Sequence, residues 1–351
     1  MTYKKMGIIT LVLVLFALLF VCTITVVFDP YFHYHKPFDW QVYMLDNERY
    51  QNDGIIRHFE YDAIITGTSM TENFKTSECD ELFNTKSIKI PFFGASFKEI
   101  NNATAKAIDY NPNVKMVIRC LDTYRFLEDK DAMNYSDYPE YLYDENLLND
   151  VNYLFNKDVL LEYVYPSVIS TLRRLPSTTF DEYANWDKDA NYGKNIVLNG
   201  YTTEESVVEQ KRISDEEKRI VRETVEENIL SVAKDNPNID FYLFLPPYSI
   251  VYWDSLRIDG TMDKHLEAQR IAIEMMLEYD NIHLYSFLTD YDTVCNLDNY
   301  KDTVHYSGAI NTKILRNMNA DKYKLTKENC EDYFYEVYKF YSEYNYETIF
   351  E

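Results

Sequence analysis

The chain has 351 residues, 46% of them hydrophobic, and its 58 Asp and Glu against 35 Lys and Arg give a net charge of −23 at pH 7. Such a chain can bury a substantial core, and one elaborated domain is expected in preference to two small ones. The charge argues against a nucleic-acid partner, and against close docking on anionic lipid or polyphosphate unless metal ions or a local basic patch intervene.

The first element is an apolar run, Met6 to Phe28, with no charge, no proline and one glycine, Gly7. At about 1.5 Å of rise per residue it can cross a hydrocarbon core about 30 Å thick. No small-x-small cleavage site ends it, since Thr25-Val26-Val27-Phe28 leads straight into Asp29-Pro30, so it reads as a retained anchor rather than a cleaved signal. Val21 stands where a lipoprotein site before Cys22 needs a small residue, which argues against lipidation. Lys4 and Lys5 precede the run and Asp29 follows it, which orients the N-terminus to the cytoplasm and the rest of the chain outside. Residues 1–28 are thus expected to be tail and anchor, 29–61 a juxtamembrane connector, and 62–351 an ectodomain.

Within the ectodomain, five short β-branched and aromatic runs read as buried strands: Ala63 to Thr66, Ile88 to Phe93, Val114 to Leu121, Phe241 to Leu245 and Ile282 to Tyr285. Helical patterns separate most of them. Ser96 with Glu99 and Ser214 with Glu217 are capping-box signals, and Asn111-Pro112 and Pro237 stop the helices that follow. This alternation predicts an α/β fold with a parallel, doubly wound sheet. A largely helical insertion, rich in Tyr and acidic residues, is expected at about 129–211; its Tyr135, Tyr138, Tyr141 and Tyr143 fit packing better than a sugar-stacking platform. Tyr333, Phe334, Val337, Tyr338, Phe340 and Tyr341 recur at helical spacing and predict a C-terminal helix docked on the domain.

Two short motifs carry possible chemistry. Ser69 follows the first strand in Gly67-Thr68-Ser69-Met70, where open α/β sheets present ligands, and Gly67 permits a tight turn beside an incoming acyl group. Near the other end, Asp302-Thr303-Val304-His305 spaces a carboxylate and an imidazole so that they can meet, with Asp302 orienting His305 to take the Ser69 proton. Either motif alone is weak, because serine is common in strand-to-helix turns and Asp-x-x-His is commonly a surface pair. Metal and cofactor signals are weaker still. Asp187-x-Asp189-x-Asn191 starts like a calcium loop but has its glycine too late and Leu198 where the closing glutamate belongs. His33 and His35 fit an interfacial aromatic belt, there is no Walker or dinucleotide-binding glycine pattern, and Cys79, Cys120, Cys295 and Cys330 lack ligand spacing and read as structural thiols.

In order and context, Gly67 and Ser69, Gly94 after the second strand, Asp122 after the third, and Asp302 with His305 resemble the SGNH hydrolase family over most of 62–311. The resemblance implies a flavodoxin-like three-layer α/β/α domain, a Ser69-His305-Asp302 triad with no cofactor, and an oxyanion hole from the N–H groups of Ser69 and Gly94. It also implies an asparagine donor after the third strand, where this chain has Arg119-Cys120-Leu121-Asp122. An ionised Asp122 would oppose an oxyanion, so it must be protonated, turned away, paired with Arg119 or Arg125, used in substrate binding, or a loop cap; Asp122 and Arg119 together are expected to mark a substrate or oxyanion region.

The anchor running into Phe28-Asp29-Pro30-Tyr31-Phe32, the block Gly67 to Phe74, and Phe244-Leu245-Pro246-Pro247-Tyr248-Ser249 are similar to bacterial cell-envelope SGNH proteins related to the D-alanine transfer protein of teichoic acids and to polysaccharide acetylation factors. That likeness implies a serine esterase or O-acyltransferase acting on an envelope glycopolymer alongside a multipass membrane O-acyltransferase. The alternative is a non-catalytic assembly or glycopolymer-binding protein on the same scaffold.

Overall fold

The computed structural model describes residues 3–135, 138–202 and 209–350. Its contacts divide the chain into two compact units, Met1–Phe59 with Asp137–Tyr183, and Glu60–Ser136 with Ala184–Glu351. The expected connector and insertion are therefore not independent segments: residues 29–59 and 138–183 build one unit, and the remainder of the insertion belongs to the sheet-bearing unit.

The first unit begins with the helix Tyr3–Phe28, the one described helix long and apolar enough to cross a membrane. Asp29 follows it with a φ of 33°, and its buried carboxylate accepts the N–H groups of His33, Tyr34 and His35 and the hydroxyl of Tyr153. Burial raises the Asp29 pKa despite these donors. Gln51, on the helix Glu48–His58, accepts from the N–H groups of Asp46 and Asn47 and donates to the carbonyls of Pro30 and Met44. A single amide thus satisfies the irregular backbone that follows the apolar helix. Phe28, Tyr31, Leu142, Tyr153, Val159 and Val164 form the unit's core. The Tyr143 hydroxyl donates to the Arg49 carbonyl at 2.6 Å, so this tyrosine is packed rather than presented to solvent.

The second unit is built on a six-stranded sheet of order β2-β1-β3-β4-β5-β6, with β1 Ala63–Gly67, β2 Ser87–Pro91, β3 Met116–Cys120, β4 Asp240–Leu245, β5 Ile282–Ser286 and β6 Lys324–Leu325. The first five strands are parallel, and β6 pairs antiparallel to β5. β1, β2 and β3 are buried along their whole length, which is why they read as continuous apolar runs rather than as alternation. Both capping boxes are present, Ser96 with Glu99 at the start of helix Phe97–Tyr110 and Ser214 with Glu217 at the start of helix Asp215–Val225. The C-terminal helix Cys330–Glu343 buries Tyr333, Val337 and Tyr341, and Tyr341 stacks on Trp253 with ring centroids 4.2 Å apart.

The chain direction across the sheet reverses between β1 and β3: β2 lies on one side of β1, and β3, β4 and β5 follow on the other. At such a switch point the loops leaving neighbouring strands diverge and open a crevice at the carboxyl ends. Thr68 and Ser69 follow β1, and Leu121 and Asp122 follow β3.

Candidate active site

The turn after β1 is held from several directions. Gly67 has a φ of 151°, and a Cβ there would lie 2.7 Å from Cγ2 of Thr71 and 3.0 Å from Cβ of Cys120. Only glycine leaves that space open. Thr68 then caps a short 3-10 turn, Ser69–Thr71, with both the N–H and the hydroxyl of Thr71 donating to the Thr68 carbonyl at 2.9 and 2.8 Å. Lys89, fully buried on β2, donates to the carbonyls of Glu72 and, at 2.9 Å, Phe74. Asn311, on the helix Gly308–Asn319, donates to the Met70 carbonyl at 2.9 Å. The segment bearing Ser69 is thereby tied to β2 and to the helix that follows His305.

Ser69 and His305 meet across the carboxyl edge, with 2.8 Å between Oγ and Nε2. On the other side of the ring, Nδ1 of His305 lies 2.7 Å from Oδ2 of Asp302. Oδ1 of Asp302 accepts the backbone N–H groups of Val304 and His305 at 2.9 and 2.8 Å, so one carboxylate fixes both the loop and the ring. Burial pushes the Asp302 pKa up, but the hydrogen bond and charge of His305 and the two backbone donors outweigh it and hold it below the usual value. An ionised Asp302 keeps the proton on Nδ1 and leaves Nε2 able to accept from the Ser69 hydroxyl.

Asp122 is 1% exposed and points into the protein. Its Oδ2 accepts the Thr68 hydroxyl at 2.8 Å and its Oδ1 accepts the Tyr248 hydroxyl. Of the arrangements left open above, it is thus turned onto the residue preceding Ser69. Arg119 is 3% exposed and donates to the carbonyls of Asn228 and Phe97, at 2.8 and 3.2 Å. The expectation that it takes part in a substrate or oxyanion region is corrected, because its position inside β3 points it into helix-packing contacts. Arg125 instead pairs with Glu128 and donates to the Gly94 carbonyl at 2.9 Å, where Asn134 also donates at 3.3 Å. Gly94, with a φ of 65°, occupies a turn fastened by two side chains.

Three residues beside Ser69 and His305 are not apparent from short motifs. Oδ1 of Asn73 accepts the N–H groups of Trp186 and Asp187 at 3.2 and 3.1 Å. The Trp186 ring meets the His305 ring edge-on, at 5.7 Å and 88°, and the Lys301 ammonium lies 3.6 Å over the indole. Asp187 accepts the Gly308 N–H at 2.6 Å and the Tyr192 hydroxyl at 2.6 Å, so the carboxylate that opens the calcium-like pattern is used to hold the helix start after the histidine. Their signal in the sequence is only the single Trp in a Tyr-rich stretch, since the partners lie more than a hundred positions away.

No protein-family model and no curated protein matches this chain. Among solved structures, one described as "a putative platelet activating factor from Streptococcus pneumonia" aligns with 78% of this chain and 89% of its own, at 14% identity and a TM-score of 0.39. A likeness of that degree says nothing about activity.

Proposed function

We propose that the protein is a membrane-anchored serine acyl-esterase or O-acyltransferase, and the observation that carries this reading is the hydrogen-bonded chain Ser69-His305-Asp302. Oγ of Ser69 attacks the carbonyl carbon of an acyl ester while its proton passes to Nε2 of His305. The N–H groups of Ser69 and Gly94 receive the oxyanion. Collapse expels the alcohol, which takes the proton from Nε2, and leaves acyl-Ser69. Water or an acceptor hydroxyl then attacks that ester, gives its proton to Nε2, and releases the acyl group as acid or new ester as Ser69 regains its hydrogen. Asp302 remains ionised throughout and stabilises the imidazolium.

The apolar helix supports an anchor with the N-terminus cytoplasmic and the second unit outside. An envelope glycopolymer is the substrate class we favour, with a multipass membrane O-acyltransferase as partner, on the resemblance of the motifs described above. Transfer to or from a polymer hydroxyl fits a tethered enzyme better than scavenging of diffusing esters. Asp122, which brings no donor to the oxyanion, favours the second reading of a non-catalytic binding protein.

A fluorophosphonate probe decides between them. The full chain in detergent should label at Ser69, and Ser69→Ala and His305→Ala should each abolish labelling with an unchanged circular dichroism spectrum. Full labelling of Ser69→Ala would overturn the assignment. In cells, Ser69→Ala should alter polymer acylation measured by NMR.

A further inference from the structure

The first unit carries more exposed apolar surface than its anchor accounts for. The π-turn Val159–Val164 runs into the helix Tyr165–Arg173, with Pro166 in the first turn where its missing N–H leaves the ladder. One side of this rod packs inward through Val159, Val164 and Val168. On the other side, Leu161 is 57% exposed, Tyr165 61% and Leu172 76%, at spacings of four and seven residues that place them on one stripe. Val151 and Phe155, just before the rod, are exposed as well. Single exposed leucines need no explanation, but an aligned stripe marks a surface that is covered in use.

The position of this rod along the anchor says what covers it. The helix Tyr3–Phe28 has 26 residues, about 39 Å at 1.5 Å per residue, longer than the ~30 Å of hydrocarbon it would cross. Its last turns, Ile24, Val27 and Phe28, pack on the same cluster as Leu154, Leu160 and Val168. The rod therefore lies beside the end of the span, at the depth where hydrocarbon gives way to headgroups. Two further features belong at that depth. Phe38 and Trp40 stack at 5.6 Å while both remain exposed, and Trp40 also meets Phe28 edge-on, as in an interfacial aromatic belt. Arg173 and Arg174 close the rod, both exposed, with Leu172 and Leu175 beside them. They form the local basic patch that an otherwise acidic chain needs to approach phosphate headgroups.

We infer that the rod 159–173 is an in-plane membrane helix, whose Leu161, Tyr165 and Leu172 enter the lipid of the outer leaflet beside the anchor. The inference rests on the anchor reading, and adds to a single-pass tether a second, lateral attachment of the same unit.

Full-length protein in vesicles of phosphatidylglycerol and phosphatidylcholine tests it, with a polarity-sensitive fluorophore on single introduced cysteines and the unmodified chain labelled in parallel for the native-thiol background. Leu161→Cys and Leu172→Cys are exposed positions that leave the core intact. Their labels should be quenched by nitroxide lipid and lose quenching by aqueous iodide, as a label at Leu15→Cys in the span should, while Asp235→Cys in the second unit should be quenched by iodide. Iodide quenching at positions 161 and 172 with lipid quenching at 15 would overturn the in-plane helix and leave the anchor standing. Iodide quenching at 15 would overturn the anchor itself. Shielding of 161 and 172 in native membranes, with iodide access in the vesicles, would assign the stripe to a protein partner and overturn the lipid assignment.

Discussion

Ser69 and His305 are 236 positions apart in the chain, and Oγ of the one lies 2.8 Å from Nε2 of the other in the fold. Asp302 stands behind them as the group that sets which imidazole nitrogen bears the proton. Asp302→Asn should keep the loop, because its side-chain oxygen can still accept the N–H groups of Val304 and His305. It removes the charge that stabilises the imidazolium, so the rate of fluorophosphonate labelling should fall by about 10³–10⁴-fold with little change in Tm. Since its folded pKa is depressed, Asp302 contributes stability that is present above the ordinary carboxylate value and is lost as the pH falls below it. An acid titration followed by circular dichroism should therefore show a smaller loss below about pH 4 in Asp302→Asn than in the native chain.

Gly67 and Gly94 separate steric from conformational cost. A Cβ at Gly67 meets Thr71 and Cys120 as well as an unfavourable φ, whereas Gly94 has a φ of 65° with nothing within 4 Å. Gly67→Ala should cost about 2–3 kcal/mol and Gly94→Ala about 1 kcal/mol, measured by urea denaturation in detergent. Equal losses would show that space at Gly67 is not limiting.

Asp122 accepts from two buried hydroxyls, Thr68 and Tyr248. Asp122→Ala leaves both without an acceptor and should cost about 1–3 kcal/mol for each orphaned group. Labelling at Ser69 should slow without being abolished, because Asp122 acts through Thr68. Tyr248→Phe removes one donor only and should be the milder change by both measures.

His265 supplies a pH dependence of its own, outside the Ser69-His305-Asp302 hydrogen-bonded chain. Burial, followed by the neighbouring Lys264, lowers its pKa from 6.5 to about 4, with Glu217 opposing. A histidine that is neutral when folded binds fewer protons than when unfolded, so its stabilisation is present above pH 6.5 and is lost as the pH falls toward 4. The loss should not exceed about 3 kcal/mol. Tm measured across that window should decline less steeply in His265→Gln; an unchanged slope would remove His265 as the cause.

By itself, the sequence determined what depends on near neighbours. The five parallel strands, both capping boxes and the C-terminal helix follow from periodicity and from side chains within four residues of the backbone they satisfy. The Asp302-to-His305 spacing was legible for the same reason. The two-residue β6 was not, since so short a strand has no period and exists only because β5 offers its edge. Nor could the sequence show that Asp122 turns to Thr68 and Tyr248 rather than to Arg119 or Arg125, or that Asn73 holds Trp186 against the histidine. Those pairings are between residues 54 to 126 positions apart. They form only after loop closure has been offset by burial of the sheet, and so tertiary structure alone selects them.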